Sequence, residues 1–184
     1  MDQALVFASI ILGVAISDQV LSLHRLLRSD TPVRWHWAQP WFALIVLLTN
    51  VMIWWSLAAE RGSISIGRFL PLLIELILLA LLTVSSLPDG ISAEGVDLAA
   101  FYRKQARYQW GLLALAALWT VISGAILDMT HGASPIDLIV ARSGDLVAVA
   151  VMAGMMFARR WWLVACGMAL MMIGPLHWLS RSVG

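Results

Sequence analysis

Charge is what this chain has least of. Charged residues make up 12% of its 184 positions, where a soluble domain of that size carries about a quarter. The remaining polar surface cannot cover a water-soluble globule, so the composition excludes an ordinary soluble fold. Cysteine is nearly missing as well. Cys166 is the single one and lies inside an apolar block, which excludes an intramolecular disulfide and argues against a thiolate metal cluster. No sign of charge dominates: the formal net charge of +1 gives no reason to expect nucleic acid or another polyanion as a partner. Lysine is reduced to Lys104 beside eleven arginines. That bias fits a GC-rich bacterial genome, and with it an inner-membrane location.

Hydrolytic motifs are missing too. The chain has no HExxH, no GxSxG, no Walker loop and no pair of acids on one helix of the kind an intramembrane protease uses. An enzyme is therefore the least supported class, with a lipid-acting one its best form.

Hydrophobicity is what the chain has in excess. Apolar residues reach 61% and the mean hydropathy is +0.86. They fall in long blocks rather than amphipathic stripes, the pattern of lipid-facing helices. A spanning helix needs about 20 mostly apolar residues, and six blocks qualify: 4–23, 41–59, 69–87, 109–127, 138–158 and 161–179. The expected fold is an all-α polytopic transmembrane bundle forming one domain over 1–184. The fifth block is the weakest, because Arg142 and Asp145 interrupt it; five spans result if it is re-entrant. Punctuation supports the boundaries. Pro40 precedes the second span, Leu87-Pro88-Asp89-Gly90 ends the third in turn chemistry, and Ser134-Pro135-Ile136-Asp137 reads as a helix start. In the loop 89–107, Leu98, Phe101, Tyr102 and Gln105 recur at helical spacing and predict a short interfacial helix. The first block has no basic n-region and no small-x-small cleavage site, so it reads as a retained helix.

Basic residues orient the spans. Arg25, Arg28, Arg34, Arg103, Lys104, Arg107, Arg159 and Arg160 fall on one side; Arg61, Arg68, Arg181 and Arg142 fall on the other. The positive-inside rule makes the first side cytoplasmic and puts both termini outside. Trp35, Trp37, Trp41, Trp54, Trp55, Trp110, Trp161, Trp162 and Trp178 are expected at the two interfaces, as an aromatic belt.

Ionisable residues at membrane depth are costly and usually face a bundle interior or a wet cavity. In the first span Asp18, Ser22 and Arg25 share a face, so Asp18 is either an interfacial hydrogen-bonded anchor or an ion-pathway residue. Ser9, Gly13 and Ser17 form a small-residue ridge suited to close helix packing. In the third span Glu75 lies within Leu and Ile, with Pro71 one turn earlier freeing a backbone carbonyl. Such a carboxylate needs a proton, a partner or a cavity. In the fifth, Arg142 and Asp145 are three apart and spaced to pair along one helix; Glu75 is an alternative counter-charge for Arg142. Thr120, Gly124 and Asp128 make a weakly polar stripe ending the fourth span, and Asn50 is placed for an interhelical hydrogen bond. His177 follows Gly174-Pro175, where the sixth helix is open to a break. The histidines do not pair at matching depth, so neither haem nor another cofactor is expected, and no metal site.

Ile16-Ser17-Asp18 faintly resembles the Phe-Ser-Asp of helix one in endolysosomal and bacterial potassium channels. Here Ile replaces Phe and the leading Arg is absent, so two identical residues assign no family. The leading functional expectation is a homo-oligomeric channel or proton-linked transporter subunit using Asp18, Glu75, Arg142 and Asp145, with Asn50, Asp128 and His177 secondary. The alternative is a membrane scaffold or effector subunit that binds a protein partner through loop 89–107. Arg103, Lys104 and Arg107 are candidates for lipid headgroups.

Overall fold

The computed structural model describes residues 3–59, 66–130, 132 and 134–180, with no side-chain placement at 66, 68, 135 and 137. Arg61, His131, Arg181 and the side chain of Arg68, which entered the orientation and cofactor arguments, lie outside the described residues. The described chain is helical: α1 (Gln3–Leu27), α2 (Ala38–Ala59), α3 (Ile66–Ser85), α4 (Leu98–Thr130), α5 (Pro135–Ala141), α6 (Ser143–Met155) and α7 (Trp161–Leu179). By length and composition α1, α2, α4 and α7 are able to cross a membrane; the apolar stretches Phe69–Ser85 and Ser143–Met155 are shorter. Large apolar side chains such as Ile10, Val14, Ile136, Val140 and Ile173 stay more than half exposed. Water would not tolerate so much of this surface; lipid does.

Side-chain contacts give the helix directions. Phe7 stacks edge-on against Phe69, and Arg25 reaches the Asp89 carbonyl, so α1 and α3 run parallel. Gln19 donates to the Ala43 carbonyl and Trp54 donates to Ser9, so α2 runs the other way. Gln109 meets Ser85 while Trp119 meets Pro71, which makes α4 antiparallel to α3. Trp37 meets Trp161 and Trp55 meets Trp178, so α7 follows α2. One end of the bundle therefore gathers the basic loops, and the other gathers the starts of α1, α3 and α5.

The basic end is sewn shut. The main core joins Phe42 and Val46 of α2, Leu82 of α3, Tyr102 and Trp110 of α4, and Val164 and Met168 of α7. Trp110 is fully buried and its indole donates to the Tyr102 hydroxyl at 2.8 Å, so it is a core residue and not part of the interfacial belt expected from its position. A two-residue parallel pair, β1 (Val33–Arg34) with β2 (Val96–Asp97), ties the α1–α2 loop to the start of α4. The preceding Gly95 needs φ of 92°, and a Cβ there would run into the Pro32 carbonyl, so glycine is required at this crossing. Asp97 then caps α4, accepting from Ala99 and Ala100 N–H at 2.8 and 3.0 Å.

The helix expected over Leu98–Gln105 forms, but not as a short helix of its own. Residues from Leu98 onward are the first turns of α4, a continuous helix of 33 residues. Its buried positions Leu98, Tyr102, Ala106, Gln109 and Leu113 follow steps of three and four without a break, so one inward-facing stripe carries the helix through. At ~1.5 Å per residue α4 is about 50 Å long, beyond the ~30 Å hydrocarbon layer.

Candidate functional site

The opposite half is built around a polar seam on α4, formed by Thr120, Gly124 and Asp128 at four-residue spacing. Glu75 approaches from α3. The Thr120 hydroxyl lies 2.9 Å from Glu75 Oε1 and 3.0 Å from the Ala116 carbonyl. A hydroxyl has one hydrogen, so the two bonds compete. An ionised Glu75 takes that hydrogen; a protonated Glu75 donates its own to Thr120 and releases Thr120 to Ala116. One turn outward, the Trp119 indole donates to the Pro71 carbonyl at 2.8 Å and pins the two helices together. The carbonyl that Pro71 frees is that of Gly67, which loses its helical donor because Pro71 has no N–H.

Arg142 approaches from the other side. It sits between α5 and α6 with φ −103° and ψ 12°, where the helix is interrupted. Its guanidinium donates to Asp128 Oδ2 at 2.6 Å. To get there it lies against the bare backbone of Gly124, where a Cβ would be 2.6 Å from both terminal nitrogens. The expected pairing of Arg142 with Asp145 along one helix is therefore not what forms. The break at Arg142 turns its side chain across to α4, and Asp145 is left in the first turn of α6, near that helix's positive end. Glu75 is likewise bonded to Thr120 and not to Arg142.

These groups share a space. A cavity of about 430 Å³ is walled by Glu75, Thr120, Arg142 and Asp145, with Thr49 of α2 and mostly apolar side chains completing it. A second cavity of about 370 Å³ runs between α3 and α4 from Gly67 and Thr130 inward. Glu75 and Thr120 are the residues common to both walls.

A comparison with family models, curated proteins and solved structures finds no match.

Asp18 is not brought to this site. It lies on the open face of α1 with Ser9, Gly13 and Ser17, its Oδ2 without a hydrogen-bond partner. The expected link from Asp18 to Ser22 is not made, since the Ser22 hydroxyl is buried without a partner and Arg25 turns to the Asp89 carbonyl at 3.1 Å. In the small-residue ridge Ser9 accepts from the Trp54 indole of α2 at 2.9 Å, while Gly13 and Ser17 lie on the open face. Ser17 bonds back to the Gly13 carbonyl, and nothing lies within 4 Å of where a Gly13 Cβ would be. Asn50 donates to Thr83 at 2.7 Å, bridging α2 and α3 outside the cavity. His177 lies in the last turn of α7, which continues through Pro175 unbroken, and its carbonyl accepts from Ser180. At the basic end Arg103 lies over the Trp161 ring at 4.7 Å and Arg107 over Phe157 at 5.7 Å, with Lys104 exposed beside them.

Sequence reasoning missed the buried amides. Gln39 and Gln109 donate to the Ser86 and Ser85 carbonyls, supplying donors that the end of α3 lacks. Gln39 precedes the second apolar block and Gln109 opens the fourth, and neither stood out there. The step of three from Gln39 to Phe42 and of four from Gln109 to Leu113 was the signal that marked them as inward-facing.

Proposed function

We propose that this chain is a small proton-linked permeation protein of the bacterial inner membrane, with Glu75 as its relay. The observation that carries this is the Glu75–Thr120 pair standing as the shared wall of two cavities. A carboxylate in that position takes a proton from one side and yields it to the other, and the competing Thr120 bonds switch with its charge. In this reading the bundle crosses six times, with α3 and the broken α5–α6 pair as the two weaker passages. Both termini face out and the basic end is cytoplasmic. There Arg103 and Arg107, held over aromatic rings, meet anionic headgroups. The open face of α1, with its small-residue ridge, supports assembly into a homo-oligomer.

The test is proton flux into proteoliposomes under an imposed potential, followed by a trapped pH dye. Wild type is expected to acidify the lumen. Glu75→Gln, which keeps the hydrogen bond to Thr120, is expected to fold normally and abolish the flux. Equal flux in protein-free and wild-type vesicles, or full flux through Glu75→Gln, rejects the relay.

A further inference from the structure

The larger cavity carries more acid than its one guanidinium can balance. Arg142 is taken by Asp128, and that pair is neutral as a unit. Glu75 and Asp145 remain on the wall, bonded to no cation among the described residues. No charge comes to this wall from α2 or α7, which supply Ile45, Thr49, Met52, Leu170 and Met171 among others. Uncompensated carboxylates at this depth are unfavourable until a cation arrives. The rest of the lining is apolar, and the volume of about 430 Å³ falls within the ~300–1,000 Å³ of ordinary ligand pockets. A proton or a bare metal ion would neutralise the acids and leave those walls uncovered. An anion of any shape meets the wrong sign. Met52, Met152 and Met171 are unbranched and flexible, so the wall adapts to bodies of different outline.

We infer that the cavity lined by Glu75 and Asp145 binds a lipophilic cation, an ammonium or phosphonium centre carried on an apolar body. The inference rests on the proposed relay for its transport step: cation and proton compete for Glu75, so entry of one expels the other and the exchange is balanced in charge. Arg142 stays with Asp128 throughout, so its charge is not offered to an anion.

The probe is tetraphenylphosphonium, which has no proton of its own, with tetraphenylborate as the same shape of opposite sign. Calorimetry on the purified full chain in mild detergent, in two buffers of different ionisation heat, reads affinity and proton release together. Saturable phosphonium binding with proton release is expected, weakening as pH falls, with no saturable borate binding. Glu75→Gln and Asp145→Asn are each expected to weaken it by about tenfold or more; the melting temperatures of both variants report whether they remain folded. Equal binding of the two ions, wild-type affinity in both folded variants, or no saturable binding overturns the inference. The relay fails separately. Glu75-dependent proton flux without phosphonium binding removes the cation site and leaves the relay, whereas binding without Glu75-dependent flux keeps the site and removes the relay.

Discussion

The two ends of this bundle solve the same problem in opposite ways. Both hold polar side chains inside an apolar assembly. At the basic end, Gln19, Gln39, Gln109 and Asn50 are almost completely buried, and each donates to a backbone carbonyl or a hydroxyl on a neighbouring helix. Trp110, Tyr102 and Phe42 fill the space between them. At the other end the polar groups are carboxylates and a guanidinium. They stand around open volume, and the helix carrying Arg142 is interrupted. Amides that cross-link backbones close a structure. Ionisable groups facing a cavity keep one available for chemistry, and the difference puts the dense cross-linking in the basic half and the proposed relay in the hollow one.

The strongest challenge to that division is Arg142→Ala. It strands Asp128 at membrane depth and should sharply lower folded yield and melting temperature. Removing one partner of a fully buried pair costs ~3–5 kcal/mol; the side chains here keep 22% and 43% exposure, so the loss should fall below that range. The exchanged pair Arg142→Asp with Asp128→Arg should recover part of the stability, and failure to recover any would mean Arg142 acts through something other than Asp128. Next in size is Gln109→Leu, read by thermal unfolding in detergent. It deprives the Ser85 carbonyl of its donor but also removes an Oε1 that has no partner, so about 1 kcal/mol is expected. Flux should be unaffected; a change in flux would break the division of labour between the halves.

The smallest effect belongs to Asp97→Ala. The Ala100 N–H, then that of Ala99, with Arg34 and His36 nearby, holds the Asp97 carboxyl below the usual carboxylate range. A depressed folded value means the cap's contribution is complete above the unfolded value of ~3.9 and is lost as pH falls through the lower folded one. The melting-temperature gap between wild type and Asp97→Ala should be present at neutral pH and close in acid. A gap that persists at low pH would show that Asp97 acts by packing and not by charge.

Much of this was legible in the order of residues, and its failures have physical reasons. The long apolar blocks announced a membrane-type helical bundle, because composition and run length are properties of the chain itself. Glu75, Arg142 and Asp145 were picked out by their cost at depth. Their bonding was not legible, since a helix break of one residue at Arg142 redirects a long side chain from Asp145 to Asp128, and spacing rules assume an unbroken helix. The extent of α4 was missed for the opposite reason: a change from basic to apolar residues near Gln109 looked like a boundary, but the buried stripe ignores it. Asp18 carried the same depth argument as Glu75, yet its helix presents it to an open face.

The contrast between the halves is tested most directly by water access along α4. Ala106 is buried in the closed core and Ala117 lines the larger cavity, about three turns further along nearly the same face. In a Cys166→Ala background, Ala106→Cys and Ala117→Cys would each be exposed to a charged, membrane-impermeant thiol reagent applied from both sides. The structure predicts rapid modification at 117 and protection at 106, although 106 is the closer of the two to the basic end. Protection at 117, or equal reaction at both positions, would contradict a hydrated cavity at Glu75.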